Sequence, residues 1–62
     1  MPIITMQGPA IPDLDKKRHL VRTVTEAAAA AYGLAADTII IVLEENAPDN
    51  VSVGGQLISD RR

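Results

Sequence analysis

The 62-residue chain lacks cysteine, tryptophan and phenylalanine, and Tyr32 is its one aromatic residue. Without cysteine it can form neither a disulfide nor a thiolate metal site, and a single histidine argues against a dedicated metal centre. The near absence of aromatic side chains removes the platform on which nucleic-acid bases stack. A formal net charge of −2 also argues against a nucleic-acid partner, because such partners are bound by basic surfaces.

Long apolar runs are also missing. No stretch approaches the roughly 20 residues of a membrane-spanning helix, and the N-terminus lacks the features of a secretion signal. We therefore expect a cytoplasmic protein without a membrane partner. Hydrophobic residues nevertheless make up 47% of a chain with room for one domain, over residues 1–62. Because so small a chain cannot enclose a large core, we expect its apolar faces to be shared in an oligomer.

The residue pattern predicts an α/β subunit with a β-α-β order. Strands are predicted over residues 2–7 and 38–44, which are rich in β-branched side chains. Between them, Asp13 is expected to cap a helix over residues 14–32, and Gly33 is expected to end it. A helix between two strands allows them to pair in parallel through a right-handed crossover.

The predicted helix has one apolar stripe, since its apolar residues recur at spacings of three, four and seven. The stripe consists of Leu20, Val21, Val24, Ala27, Ala28 and Ala31. We expect Tyr32 to be partly buried at the end of the helix. The cations of its first half, Lys16, Lys17, Arg18 and Arg22, are expected to be solvated.

A C-terminal β-hairpin is predicted where Val51-Ser52-Val53 and Gln56-Leu57-Ile58 flank Gly54-Gly55. Two strands alone form no stable sheet. The hairpin is therefore expected to act as an arm that reaches another subunit.

Pro2 is the one unusual feature among the few reactive groups of the chain. Methionine aminopeptidase normally processes a Met-Pro start, which exposes the secondary amine of Pro2. An α-amino group has a pKa near about 7.7–8.0, and an apolar pocket or nearby cations would lower it. Such a base suits removal of a proton beside a carbonyl group. Alone, however, Pro2 is better explained as a residue that permits processing.

Further sequence features favour a catalytic role for Pro2. They are Pro2-Ile3, Leu20-Val21 with Val24 and Glu26-Ala27, a second strand ending at Glu45, and the segment from Val51 to Leu57 with its Gly-Gly pair. With these, the chain from Pro2 to Arg62 resembles the 4-oxalocrotonate tautomerase family. The resemblance implies a hexamer, a trimer of dimers, in which Pro2 is the general base. It also implies a small keto or enol acid as substrate, without cofactor or metal.

The chain departs from this family where the family has arginine. The two substrate-binding arginines fall on Pro12 and Ile40, and the aromatic residue before the hairpin falls on Val51. A dicarboxylate would lose its anchors, so we expect a less anionic substrate. Cations on an exchanging C-terminal arm are the most credible substitutes. The candidate substrate-binding residues are Ile40, Asn50, Val51, Arg61 and Arg62.

Three hypotheses follow from these residues. The chain forms a homohexameric tautomerase, or it is the proline-bearing subunit of a heterohexameric tautomerase or dehalogenase, or it is an inactive structural paralogue. In the second, an arginine-bearing paralogue supplies the missing cations.

Glu44 and Glu45 could act as acids, since some relatives activate water with a carboxylate. The plainer interpretation is that they end a strand in solvent.

Overall fold

The structure, a computed structural model of the chain, describes residues 1–61. Its strands and its α-helix are β1 (Ile3–Gly8), α1 (Leu14–Tyr32), β2 (Ile40–Glu45), β3 (Ser52–Val53) and β4 (Gln56–Leu57). Short 3-10 helices lie at Ala36–Thr38, Pro48–Asn50 and Ile58–Asp60. The predicted β-α-β order with a C-terminal hairpin is confirmed. Within the described residues, no helix is both long and apolar enough to cross a bilayer.

Strands β1 and β2 pair in parallel over their full length, from Ile3 opposite Ile40 to Gly8 opposite Glu45. The N–H of Ile40 also donates to the carbonyl of Pro2 at 3.0 Å, so Pro2 starts the ladder. Because the strands run in the same direction, their amino ends share one edge and their carboxyl ends share the other. This arrangement decides which candidate residues can meet within one chain.

Local capping sets both ends of α1, as predicted. The Asp13 carboxylate accepts the N–H groups of Asp15 (2.9 Å) and Lys16 (3.4 Å), which lack partners inside the helix. At the other end Gly33 has a φ of 68°, the left-handed conformation that glycine adopts without a Cβ clash, and its N–H donates to the Ala29 carbonyl.

Two sequence predictions about the helix and the second strand are wrong. Tyr32 is 62% exposed rather than partly buried, and of the predicted stripe Ala27 and Ala31 are also exposed. The half-buried helix residues are Lys17, Leu20, Val21, Val24, Thr25, Ala28 and Ala29. Two strands about 5 Å apart are too narrow to cover the full predicted stripe. Thr38, predicted in β2, instead lies in a 3-10 turn where its hydroxyl donates to the Ala35 carbonyl at 2.7 Å.

Among the described residues none is fully buried, so a single chain has no closed core. The accessible surface is 4809 Å², against about 3,900 Å² expected for a compact protein of this mass. The Cα radius of gyration is 14.8 Å, against about 11 Å expected. An unusual amount of apolar surface is therefore left for a neighbour to cover.

Much of that surface lies on one side of the sheet. Side chains alternate along each strand, and α1 covers the side that carries Ile4, Met6, Ile41 and Leu43. The opposite side, here called the outer face, consists of Ile3, Thr5, Gln7, Ile40, Val42 and Glu44. Ile3 is 64% exposed and Val42 is 43% exposed.

Candidate functional site

Pro2 lies half-buried at the amino edge of the strand pair, next to Ile40 through the backbone hydrogen bond described above. Met1 precedes it and is 83% exposed. While Met1 is present, the Pro2 nitrogen is a tertiary amide and has no basicity. Removal of the accessible Met1 converts it into a secondary amine on a residue that the ladder holds in place.

A cavity of about 410 Å³ lies at the opposite, carboxyl edge of the strands. Its walls are Gln7, Gly8, Pro9, Asn46, Pro48, Val51 and Ile58. Two backbone hydrogen bonds of 2.8 Å join these walls, from the Asn46 N–H to the Gly8 carbonyl and from the Ile58 N–H to the Val51 carbonyl. The lining is mainly apolar, with the amides of Gln7 and Asn46 as its side-chain hydrogen-bonding groups. None of the lining side chains within residues 1–61 titrates, so these residues give the cavity no base of its own.

The predicted substrate-binding residues fall into two groups. Val51 forms part of the cavity wall, and Asn50 precedes it at the end of a 3-10 turn. That turn lies against the turn Ile58–Asp60, which Arg61 follows with its N–H donated to the Ile58 carbonyl at 3.0 Å. Ile40 lies at the other edge, beside Pro2. Arg62 is outside the described residues.

The two groups do not meet within one chain. Strand β1 has six residues, which extend about 20 Å between the edge that carries Pro2 and the edge that carries the cavity. Ile40 thus neighbours the candidate base, whereas Asn50, Val51 and Arg61 lie with the cavity. A site that contains both groups needs at least two copies of the chain.

Sequence reasoning missed a polar cluster beside the cavity. The Ile11 N–H donates to Oε2 of Glu45 at 2.7 Å, and the Lys17 ammonium lies 2.9 Å from the same oxygen. The side chains of Lys17 and Glu45 are 25% and 33% exposed, so the prediction of a solvated Lys17 is wrong. The hydrogen bond from Ile11, and then Lys17, lowers the pKa of Glu45. A carboxylate stabilised as the anion is poorly suited to donate a proton near neutral pH.

No spacing rule would have revealed this cluster. Lys17 belongs to α1, Glu45 ends β2, and Ile11 lies in the loop that joins β1 to α1. Only the parallel register places the end of β2 beside that loop. The cavity residues Gln7, Pro9 and Asn46 were missed for the same reason, because each looks like an ordinary strand end or loop residue.

Comparisons with known proteins match almost the whole chain to one family. The family model described as "Tautomerase enzyme" matches residues 2–61. A probable tautomerase of Halalkalibacterium halodurans is 39% identical over 61 residues, which cover 98% of this chain and all of that protein.

Two crystal structures share the fold. DmpI from Archaeoglobus fulgidus is 41% identical with a TM-score of 0.85, covering 95% of this chain and 100% of that one. YwhB, a homologue of 4-oxalocrotonate tautomerase, is 31% identical with a TM-score of 0.89, covering 98% of this chain and 100% of that one. The resemblance to 4-oxalocrotonate tautomerase that the sequence landmarks indicated is therefore confirmed, and the chain belongs to the tautomerase family.

Proposed function

We propose that the chain is the subunit of a cofactor-independent tautomerase in which Pro2, freed by loss of Met1, is the general base. Membership of the tautomerase family supports an isomerase activity of this kind. The assignment of Pro2 as the base rests on one observation, that the candidate site residues are divided between the two edges of the strand pair. The described lining of the cavity contains no titratable group, while Pro2 lies about 20 Å away at the other end of β1. In the assembly we propose, Pro2 of one copy faces the cavity of another.

The assembly is a hexamer, built as a trimer of dimers. Its support is physical, since the described residues of a single chain form no buried core and leave the outer face open. The two-residue strands β3 and β4 form an isolated ribbon that is too short to be stable alone. Contacts between subunits would cover the outer face and give this ribbon a sheet to join.

The reaction we propose moves one proton between two carbons of the substrate or, for a simple enol such as that of phenylpyruvate, from the enol oxygen to the neighbouring carbon. The amine of Pro2 removes a proton from the carbon beside the substrate carbonyl, and the electron pair moves into an enolate. The same amine returns the proton to the other end of the conjugated system, so the product is an isomer and nothing is consumed. The apolar lining lowers the amine pKa by desolvation, which favours the free base at neutral pH.

The substrate is a small 2-keto or 2-hydroxy acid that carries less negative charge than a dicarboxylate. Ile40 and Val51 supply apolar contacts on the two sides of the site. Asn50 and Arg61 offer polar contacts to a single carboxylate, and Arg62 belongs to the same proposed set. The absence of charged side chains from the described cavity lining supports this choice of substrate.

Intact-mass measurement before and after treatment with 3-bromopyruvate tests the role of Pro2. We expect mature protein without Met1 to gain one adduct per chain and to isomerise the enol of phenylpyruvate. Pro2→Ala should lose both the adduct and the activity at equal helix content. Pro12→Ala is the matched control, since Pro12 is exposed and lies outside the cavity wall. Equal labelling of Pro2→Ala would refute the assignment.

A heterohexamer is the second candidate, and the residues around Pro2 favour it. Ile40 stands beside the base where the family has an arginine, and the described cavity wall carries no cation. An arginine-bearing paralogue would supply those charges. A partner that co-purifies and restores turnover to an inactive chain would support this candidate. A chain that remains inert with every such partner would be a structural paralogue.

A further inference from the structure

The loop that joins β1 to α1 forms part of the cavity wall but has few ways to hold its shape. It contributes Pro9 to the wall, next to Gly8 at the end of β1. Pro9 and Pro12 have no backbone N–H, so between them only Ala10 and Ile11 can donate a main-chain hydrogen bond. One of these two donors, the N–H of Ile11, is bound by Glu45.

We propose that Glu45 and Lys17 are positioning residues for the reaction, because they hold this loop, and Pro9 with it, in the wall of the cavity. The arrangement of Glu45, Lys17 and the Ile11 N–H is called the Glu45 latch below. The proposal rests on the proposed function, since it takes this cavity as the substrate site. Glu45 touches no reacting atom in this scheme and acts through the loop.

The contacts of the latch are short and share one atom. Oε2 of Glu45 accepts the Ile11 N–H at 2.7 Å and lies 2.9 Å from the Lys17 ammonium. Hydrogen bonds to an ionised group are shorter and stronger than neutral ones. Lys17 fixes the direction of the carboxylate from α1, so three separate segments of the chain meet at one oxygen atom.

Packing around the loop is loose. A cleft of about 210 Å³ lies beside it, lined by residues that include Ile11, Leu20 and Leu43. The position of the loop therefore depends on hydrogen bonds more than on packed side chains. Without the latch, the remaining described hydrogen bond near the loop on this side joins the Asn46 N–H, just after β2, to the carbonyl of Gly8, the last residue of β1.

A second ion pair offers an internal control. Arg18 lies 2.8 Å from Asp15, but both belong to α1 and their side chains are 60% and 88% exposed. Asp15→Asn removes a carboxylate charge just as Glu45→Gln does, yet it leaves the loop untouched. A general effect of charge on stability would appear in both variants, whereas a positioning effect would appear only at Glu45.

The test compares Glu45→Ala, Glu45→Gln and Asp15→Asn in the assembled protein. Glu45→Ala should speed amide hydrogen exchange at Ile11 by about tenfold or more. With phenylpyruvate it should raise KM by about tenfold and change kcat less than about twofold, because the wall contacts ground state and transition state alike. Glu45→Gln retains an oxygen acceptor and should recover most of both losses. Asp15→Asn should match the parent protein.

Unchanged exchange at Ile11, or an unchanged KM, in Glu45→Ala would overturn the proposal. If Glu45→Ala does not assemble, Lys17→Met serves instead, and it should show the same pattern with a smaller change. The exchange measurement needs no turnover, so failure of the latch is visible by itself. Failure of the proposed function would appear separately, as full activity or labelling of Pro2→Ala.

Discussion

Val42 lies in the middle of β2 on the outer face, opposite Thr5, and a lysine there should break up the assembly. Burying a whole valine side chain contributes about 1.5–3 kcal/mol. Because 43% of Val42 is exposed in the single chain, a neighbour's contact gains about 0.6–1.3 kcal/mol there. An unpaired charge in the same place costs several kcal/mol, which exceeds the lost gain. The penalty recurs in every subunit of a symmetric oligomer.

Analytical ultracentrifugation of Val42→Lys and Val42→Ala at the same chain concentration measures the effect. Val42→Ala removes only the apolar gain and should keep the parent mass. Val42→Lys should sediment as smaller species and lose helical circular dichroism, since none of the residues that the structure describes is fully buried in a single chain. If Val42→Lys keeps both the parent mass and the parent urea midpoint, the outer face is not an interface and the reasoning fails.

Two further predictions concern stability at fixed chain concentration. Asp13→Ala should lower the free energy of unfolding by about 1 kcal/mol per chain, because two N–H groups of α1 lose their acceptor. Asp13→Asn should recover most of this loss. Urea denaturation measures both variants, and equal midpoints for the alanine variant and the parent would contradict the role of Asp13 as a cap. The second concerns acid. The pKa of Glu45 in the folded protein lies below its ordinary value of 4.5, so its contribution is present above that value and is lost as the pH falls through the folded-state pKa. Glu45→Gln should therefore lose less stability than the parent on acidification from about pH 6 to pH 3. Thermal melts at several pH values measure this, and an equal fall of Tm with pH in the two proteins would refute it.

Elements with local causes could be predicted from the sequence. The bounds of α1 follow from Asp13 and Gly33, whose effects act over about one helical turn. The hairpin follows from Gly54 and Gly55, which both have the positive φ that its tight turn requires. Such signals are complete within a few residues of the chain, so no knowledge of the tertiary fold is needed to recognise them.

The need for partners was also contained in the sequence. A chain of 62 residues with 47% hydrophobic residues cannot cover its own apolar surface. The large accessible surface and the exposed outer face agree with that expectation. Which residues make up that face, however, depended on the alternation within β1 and β2 and on which side α1 packs.

The geometry of the site was decided by the tertiary structure. Glu45 lies 34 residues from Ile11 along the chain, and they meet because β2 runs parallel to β1 and ends beside its loop. The same register places Asn46 at the cavity while Pro2 lies at the far edge. Sequence spacing carries information about neighbours along one helix or strand. Contacts between the ends of different elements arise only when the register of the strands is set.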